Sequence, residues 1–180
     1  PFRQQTILIT GATSGIGKAL ALNLLQQGAQ VAVCARDEAK LQAFSQLANN
    51  PNLLCIQADV SREEDCKRFV EEAVNRFGQV HALINNAGIS MRALFEDLDL
   101  NVLRQSMDIN FWGTVYCCKY ALPHILQTKG SIAGISSIAG YKGLPCRTGY
   151  SASKFAMQGF LESLRIELLH RGVNVLWISP

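Results

Sequence analysis

Two residues four positions apart, Tyr150 and Lys154, form the pattern in this sequence that is best suited to proton-transfer chemistry. Residues at this spacing lie on one face of a helix. An ammonium group beside a phenol favours the phenolate, so such a tyrosine can act as a general acid or base. The spacing alone is common on solvated helix faces, and its meaning therefore depends on the elements that position it.

A second pattern, the segment Thr10–Gly17, places three glycines between the apolar, β-branched run Thr6–Thr10 and a helical segment. We expect Gly11 to permit a tight turn, Gly15 to let the backbone approach a pyrophosphate, and Gly17 to let the helix pack closely. The helix N-terminus would then face the anion. Although three glycines alone often form only a turn, the strand–loop–helix setting predicts dinucleotide binding.

Helical and β periodicities alternate along the chain. Helices are predicted at about 16–27, 38–48, 62–77, 100–122 and 150–170, with a capping box formed by Ser61 and Glu64 at the third. The segments between them are apolar on both faces, as in a parallel sheet covered on both sides: 6–10, 31–35, 53–56, 82–84, 131–135 and 173–178. The sequence therefore predicts one α/β domain over residues 1–180, a doubly wound parallel sheet in a three-layer α/β/α (Rossmann) arrangement.

The second predicted strand ends at Ala35 and Arg36, where a dinucleotide-binding fold selects its adenosine ribose. An acidic residue there would bond the 2′-hydroxyl of NAD, whereas the planar donors of an arginine suit the 2′-phosphate of NADP. A solvated arginine is the simpler alternative, and the neighbouring Asp37 is better explained as a helix cap. We therefore expect NADP(H), with NAD(H) as the less favoured cofactor.

Polar residues also follow the third and fourth predicted strands. Asp59, followed by Val60, lies where an adenine edge would bind, and its carboxylate can accept from the exocyclic amine. A charge at the start of a helix is the alternative. The segment Asn85–Gly88 offers side-chain amides that can tie strand ends together and a backbone that can approach the cofactor, with a ligand-free turn as the alternative.

With these residues in view, the chain resembles the short-chain dehydrogenase/reductase family. The matching motifs fall in the family's order and cover nearly the whole sequence: Thr10–Gly17, Asp59, Asn85–Gly88, Asn110, Ser137, and Tyr150 with Lys154. Each motif alone is weak, but the joint match is specific. The glycine spacing resembles the compact single-domain branch and not the sugar-nucleotide epimerase branch.

The resemblance implies a role for each matching residue. Tyr150 resembles the catalytic acid/base, and Lys154 the residue that favours the phenolate and holds the nicotinamide ribose. Ser137 resembles the substrate-orienting serine, for which Ser136 is less suited because strand alternation points it to the other side. Asn110 resembles the asparagine that supports a proton-relay water. The implied cofactor contacts are Gly11, Thr13, Ser14, Gly15, Ile16, Gly17, Arg36, Asp59, Val60, Asn86, Ala87, Gly88, Tyr150 and Lys154.

Composition narrows the class of protein. Apolar residues make up 48% and charged residues 17%, which is typical of a globular protein. A net charge of +3 without a long basic run gives no support to nucleic-acid binding. The six cysteines form no C-x-x-C pair and have no histidine at zinc-ligand spacing, which predicts free thiols and no metal site. We expect a cytoplasmic protein, although the opening Pro1 leaves room for an upstream membrane anchor.

Two helices predict self-association. The helix over about 100–122 and the one that contains Tyr150 are apolar nearly all round, whereas a surface helix needs only one apolar stripe. The family commonly pairs these two helices across a twofold axis. We therefore expect a homodimer or homotetramer.

The end of the sequence departs from the family pattern. The family usually continues after the sixth strand with a Pro-Gly turn, a mobile substrate lid and a further strand, whereas this sequence ends at Pro180. We therefore expect the C-terminal strand and the lid to lie outside it. The mildly lipophilic loop 140–145 and Phe95 favour a steroid-like, retinoid-like or sphingoid ketone, and a β-ketoacyl thioester is equally compatible.

Three functions remain open from the sequence. The leading interpretation is an NADP(H)-dependent enzyme that interconverts a small-molecule carbonyl and its alcohol. A catalytically silent NADP(H) sensor on the same fold would have no use for a Tyr–Lys acid/base pair. A purely structural protein would have no use for a phosphate-binding loop.

Overall fold

A computed structural model describes residues 2–180 of the chain. Its six strands are β1 (Thr6–Thr10), β2 (Gln30–Ala35), β3 (Leu53–Gln57), β4 (Ala82–Asn85), β5 (Ser131–Ile135) and β6 (Asn174–Ile178). Its α-helices are α1 (Gly15–Gln26), α2 (Glu38–Ala48), α3 (Glu63–Phe77), α4 (Leu100–Met107), α5 (Gly113–Thr128) and α6 (Thr148–Leu168). These elements follow the predicted order, and apart from the helix predicted over about 100–122 their boundaries agree within a few residues.

All six strands join one parallel sheet in the order β3-β2-β1-β4-β5-β6. The order reverses between β1 and β4, because the chain returns to the centre of the sheet after β3. In sheets of this kind, ligands bind beyond the carboxyl ends of the strands at the point of reversal. The predicted doubly wound Rossmann fold is confirmed.

The sheet is buried on both faces by two separate apolar clusters. Ile7 and Ile9 face α1 and α2, while Leu8 between them faces α3, α5 and α6. This division follows from strand geometry, since successive side chains point to opposite faces. The three layers hold the carboxyl ends of the strands in a fixed frame.

The predicted capping box at the start of α3 is wrong. Arg62 is the residue at the cap position and its side chain makes no capping hydrogen bond. The hydroxyl of Ser61 instead donates to Asp59 Oδ1 at 2.7 Å, and the Ser61 backbone N–H donates to the same oxygen at 3.0 Å. A local Asx turn has therefore taken the side chain that the capping box required.

The chain is helical where a helix was predicted from about 100 to 122, but the helix is interrupted and ends later than expected. A π-helical turn, Asp108–Trp112, separates α4 from α5, and α5 continues through Pro123 to Thr128. Such turns are rare and often occur at functional sites. Within residues 2–180, no helix combines the length and hydropathy needed to cross a membrane.

Candidate active site

A cleft of about 620 Å³ opens at the carboxyl ends of the strands, beside the reversal between β1 and β4. It brings together residues from every predicted motif except Asn110, although they are far apart in sequence. The predicted site residues that line it are Gly11, Thr13, Ser14, Gly15, Ile16, Arg36, Asp59, Val60, Asn86, Ala87, Gly88, Ser137, Tyr150 and Lys154. Gly17 and Asn110 lie behind this lining.

The glycine loop has the backbone that its sequence predicted. Gly11 and Gly15 have φ values of +67° and +55°, in the left-handed region that favours glycine. An ideal Cβ on Gly15 would meet no heavy atom within 4 Å, so the loop leaves open space there. A Cβ on Gly17 would overlap Asn86 Nδ2 and lie 2.8 Å from Gly11 O. Gly17 thus permits close packing, while Gly15 leaves room for a ligand beside the start of α1.

Asn85, the last residue of β4, and Asn86, which follows it, tie neighbouring strand ends together, as expected. Asn86 Nδ2 donates to the carbonyl oxygens of Thr10 and Gly11 at 3.0 and 2.9 Å. In return, the backbone N–H groups of Asn86 and Ala87 both donate to Thr10 Oγ1 at 3.0 Å. Asn85 Nδ2 reaches Ala133 O on the other side at 3.5 Å. This network fixes the glycine loop against the centre of the sheet.

Basic side chains lie at the β2 end of the cleft. Arg36 lines it together with Lys40, one helical turn further along the chain. Asp37 accepts a hydrogen bond from the Lys40 backbone N–H at 3.0 Å, which confirms that it caps α2. This hydrogen bond holds the pKa of the Asp37 carboxyl below its usual range. Arg36 and Lys40 therefore supply positive charge at this end of the cleft, while the Asp37 carboxylate is already hydrogen-bonded to the start of α2.

Asp59 and Val60 line the cleft next to β3. Asp59 Oδ1 is occupied by Ser61, while its backbone N–H donates to Asp65 Oδ2 at 2.9 Å. Asp59 Oδ2 makes no hydrogen bond within residues 2–180. One oxygen of the carboxylate thus shapes the turn, and the other is available to a ligand amine.

Tyr150, Lys154 and Ser137 meet at the β5 end of the cleft. Lys154 is 4% exposed, and its Nζ lies 5.8 Å from the centroid of the Tyr150 ring. The ammonium donates to Ile135 O at 2.7 Å, which leaves two further donors for a ligand. Because burial disfavours the charged form, the pKa of Lys154 falls to about 8. Ser137 Oγ accepts from the Ala139 backbone N–H at 3.2 Å while it faces the same cleft.

Asn110 is fully buried in the π-helical turn, directly behind Gly88. Its Oδ1 accepts from the Ile89 N–H at 2.8 Å, and its Nδ2 donates to Ile89 O at 2.9 Å. Nδ2 also donates to Ser153 Oγ at 2.9 Å. The side chain therefore joins the loop after β4 to α6, next to Lys154.

The sequence reasoning missed several residues of this cleft. Lys40 had a detectable signal, since it lies four positions after Arg36. Ser90 lies two positions after the Asn-Asn-Ala-Gly segment, lines the cleft and accepts a hydrogen bond from Arg147. Ile109 and Ile135 line it as apolar walls and had no signal of their own. Within the described chain, no group of three or more His, Cys, Asp or Glu side chains could hold a metal ion.

The chain belongs to the short-chain dehydrogenase family. The family's sequence model, described as short chain dehydrogenase, matches residues 5–180. This match spans β1 to β6 and includes every motif that lines the cleft. The resemblance inferred from the motifs is therefore confirmed over almost the entire sequence.

The chain is also similar in sequence to several plant proteins. The chain is 41% identical over 180 residues to an 11-beta-hydroxysteroid dehydrogenase-like 4A protein of Arabidopsis thaliana, covering 98% of this chain and 60% of the relative. It is 42% identical over 168 residues to an 11-beta-hydroxysteroid dehydrogenase A of Arachis hypogaea, covering 91% of this chain and 48% of the relative. The chain thus spans about half to three fifths of the length of these relatives.

Solved structures share the same fold. A 3-ketoacyl-(acyl-carrier-protein) reductase from Brucella melitensis, complexed with NADH, matches with a TM-score of 0.95 and 27% identity, covering 100% of this chain and 76% of that one. A short-chain dehydrogenase/reductase of unknown function from Caenorhabditis elegans, solved with cofactor, matches with a TM-score of 0.93 and 26% identity, covering 99% and 70%. The family to which this chain belongs is one of nicotinamide-dependent oxidoreductases.

Proposed function

We propose that this protein transfers a hydride between the nicotinamide of NADP(H) and a carbonyl or secondary alcohol, with Tyr150 as the general acid/base. The observation that carries the proposal is the single cleft in which Tyr150, Lys154 and Ser137 meet the glycine loop at the point of strand reversal. In this proposal, residues 1–180 form one dinucleotide-binding catalytic domain. Cytoplasmic localisation remains our expectation.

The residues present fit a dinucleotide. The open space beside Gly15 and the N-terminus of α1 suit a pyrophosphate. Arg36 and Lys40 suit the 2′-phosphate of NADP, and the available oxygen of Asp59 suits the adenine amine. Thr13, Ser14, Ile16, Val60 and the segment Asn86–Gly88 would complete the contacts along the cleft. When bound, the nicotinamide supplies or accepts the hydride.

The catalytic groups divide the remaining work. In the reductive direction, the Tyr150 hydroxyl donates its proton to the carbonyl oxygen as the carbon gains the hydride. Ser137 Oγ donates a hydrogen bond to the same oxygen, where negative charge develops. Lys154 supports the phenolate that remains and binds the ribose with the donors that Ile135 leaves unused. Asn110 fixes the backbone of Ile89, a residue of the cleft, through two hydrogen bonds.

For the substrate, we propose a lipophilic ketone of the steroid type. The segments that continue from the cleft residues Ser90 and Ser137 carry large exposed apolar side chains: Leu94, Phe95, Ile138 and Tyr141. The plant relatives are named for hydroxysteroids. The bacterial structural neighbour, named as a 3-ketoacyl reductase, keeps a β-ketoacyl thioester as the second candidate.

We also propose a homodimer or homotetramer. An aromatic cluster on the outer face of the π-helical turn, α5 and α6 consists of Phe111, Trp112, Tyr116 and Phe160. Trp112 and the nearby helix residues Leu100 and Phe155 are 42%, 53% and 46% exposed. Contact with a second copy would cover this apolar surface, which water solvates poorly.

One assay tests the proposed function. The protein is mixed with NADPH and with cortisone (an 11-keto steroid), acetoacetyl-CoA or 4-nitrobenzaldehyde, and the absorbance of the reduced nicotinamide is followed. We expect NADPH oxidation with at least one carbonyl. Binding of NADPH without turnover of any carbonyl would favour a silent sensor, and absence of NADPH binding would contradict the dinucleotide site itself.

A further inference from the structure

Gln158 and Ser136 form a buried hydrogen bond that the proposed reaction does not explain. Gln158 Nε2 donates to Ser136 Oγ at 2.6 Å, and the two residues are only 8% and 5% exposed. Ser136 directly precedes Ser137 in sequence, and Gln158 lies one helical turn beyond Lys154 on α6. The hydrogen bond thus joins the residue before Ser137 to the residue one helical turn after Lys154, and both Ser137 and Lys154 are proposed catalytic groups.

We propose that Gln158 and Ser136 are positioning residues, which set the separation between Ser137 and Tyr150 through their hydrogen bond. This inference rests on the proposed function and deepens it. Gln158 does not line the cleft, and although Ser136 does, its hydroxyl is engaged by Gln158 between β5 and α6. Their effect on the reaction is therefore exerted through Ser137.

The bond completes a two-point attachment between α6 and the end of β5. Lys154 Nζ donates to Ile135 O at 2.7 Å, and Gln158 Nε2 donates to the next residue, Ser136. Two attachments one helical turn apart, at the last residue of β5 and the residue that follows it, restrain both the rotation of the helix and its sliding along the strand. Tyr150 is one turn before Lys154 on the same helix, so the Lys154 attachment holds its position, while the Gln158 attachment holds Ser136 and the residue that follows it.

Gly140 packs directly against the hydrogen-bonded pair of Gln158 and Ser136. An ideal Cβ on Gly140 would overlap Gln158 Nε2 and would lie 2.8 Å from Ser136 Oγ. The Gly140 N–H donates to Ser137 O at 2.9 Å, so the short turn from Ser137 to Gly140 folds back onto the amide. The turn from Ser137 to Gly140 therefore packs directly against the hydrogen-bonded side chains of Gln158 and Ser136.

The backbone of Ser136 is fixed from the opposite side. Its N–H donates to Ile178 O on β6 at 2.7 Å. With Ser136 Oγ turned toward Gln158, the alternation of an extended chain turns the next residue, Ser137, toward the cleft. Loss of the Gln158 bond would leave a buried hydroxyl without its donor and would release the turn above it.

Two variants test this role in the intact protein. Gln158→Met keeps the length of the side chain without its donor, and Ser136→Ala removes only the hydroxyl. The substrate is whichever of cortisone, acetoacetyl-CoA and 4-nitrobenzaldehyde the wild-type protein reduces fastest. We expect kcat to fall about 10-fold in each variant, since small misplacements of reacting groups are costly. The dissociation constant of NADPH should stay within about twofold.

A double-mutant cycle distinguishes an effect on the position of Ser137 from a general loss of structure. If Ser136 acts through Ser137, Ser136→Ala should change kcat by less than about twofold when Ser137 is already alanine. A full 10-fold loss in that background would overturn the proposal. Thr128→Val is the matched control, because Thr128 Oγ1 donates to Val80 O at 2.7 Å just before β4, at the opposite end of the strands from the cleft. It should lower the melting temperature and leave kcat unchanged.

Amide hydrogen exchange gives a readout that needs no substrate. The amides of Ala139 and Gly140 both bond to Ser137, at its Oγ and its O. We expect both to exchange at least about 10-fold faster in Ser136→Ala than in wild type. If the wild-type protein reduces none of the carbonyls, the proposed function fails, and this measurement still decides the role of the pair. Unchanged exchange at these amides would overturn the positioning role.

Discussion

The ammonium of Lys154 donates a hydrogen bond to the backbone carbonyl of Ile135, two residues before Ser137, at a distance of 2.7 Å. This contact places a buried cation between the helix that carries Tyr150 and the strand that leads to Ser137. It leaves two of the three ammonium donors available. The same lysine therefore has a structural contact within the protein and unused donors for a cofactor.

Burial of Lys154 predicts a specific dependence of stability on pH. Its pKa is lowered from 10.5 to about 8 in the folded protein. Between these values the unfolded chain binds a proton that the folded chain has released, so the free energy of unfolding rises with pH across this window. Relative to Lys154→Met, the wild type should gain about 2 kcal/mol between about pH 7 and about pH 9.5.

Urea unfolding of both proteins at the two pH values measures this gain, because other titrating groups cancel in the comparison. Lys67→Met is the control, since the Lys67 side chain is 53% exposed on α3 and pairs only with Glu71 at 3.8 Å. That variant should keep a constant difference from wild type. An equal pH dependence of wild type and Lys154→Met would show that the lysine is not desolvated as described.

Arg36 predicts the choice of cofactor. Charge-assisted bonds between its guanidinium and a 2′-phosphate are worth about 1.5–3 kcal/mol, or roughly 10- to 150-fold in affinity. We expect NADPH to bind at least about tenfold more tightly than NADH, and Arg36→Ala to remove most of that preference. Ala35→Asp should reverse it by placing a carboxylate against the phosphate. Fluorescence titration of both cofactors measures the ratio.

Two further variants refine the cofactor prediction. Lys40→Ala should reduce the preference by a smaller factor, because Lys40 also interacts with Asp37 at 3.5 Å and is well exposed. Arg76→Ala should leave it unchanged, since Arg76 lies over the Phe77 ring away from the cleft. The preference should also shrink at high salt. A preference that survives Arg36→Ala would mean that another residue selects the phosphate.

Asn110 is expected to contribute to stability as well as to the site. Asn110→Ala would leave the N–H and carbonyl of Ile89 without their partner and would remove one of the two hydrogen bonds of Ser153 Oγ, which still donates to Tyr150 O. Each unsatisfied buried group costs about 1–3 kcal/mol, so we expect a loss of roughly 3 kcal/mol or more in the free energy of unfolding. Asn101→Ala, at an exposed position in α4, should cost almost nothing. Equal losses in the two variants would contradict the role of Asn110 as a link between loop and helix.

The exposed aromatic surface predicts assembly. We expect Trp112→Glu and Phe155→Glu to convert the proposed dimer or tetramer to smaller species, because a buried charge without a partner is unfavourable. Leu47→Glu on α2, at a position that is 58% exposed on the other side of the sheet, is the matched control. Light scattering at micromolar concentration measures the molar mass of the wild type and of each variant. A wild-type monomer would contradict the prediction.

The strands and the glycine loop were predictable because their signals are local. The runs Thr6–Thr10 and Ser131–Ile135 are bounded by glycine turns and coincide with β1 and β5. The positive φ of Gly11 agrees with the tight turn that the loop's sequence predicted. Alternation of strands and helices was then sufficient to specify a doubly wound sheet.

Features that depend on distant partners were not predictable. The π-helical turn surrounds Asn110, whose side chain bonds Ile89, and no local pattern signals that contact. The capping box failed because Asp59 accepts the hydroxyl of Ser61. Strand alternation favoured Ser137 over Ser136, yet both residues line the cleft, and the partner of the Ser136 hydroxyl, Gln158, lies 22 positions away and carries no sequence signal.

Tyr150→Phe is the sharpest test of the proposed general acid, since it removes only the hydroxyl that donates the proton. With the carbonyl that the wild type reduces fastest, kcat should fall by at least about 10²-fold, the low end for loss of a general acid. The dissociation constant of NADPH should stay within about twofold. Tyr120→Phe, whose hydroxyl donates to Glu63 at 2.6 Å away from the cleft, should retain wild-type kcat. A Tyr150→Phe variant with near wild-type turnover would contradict the account.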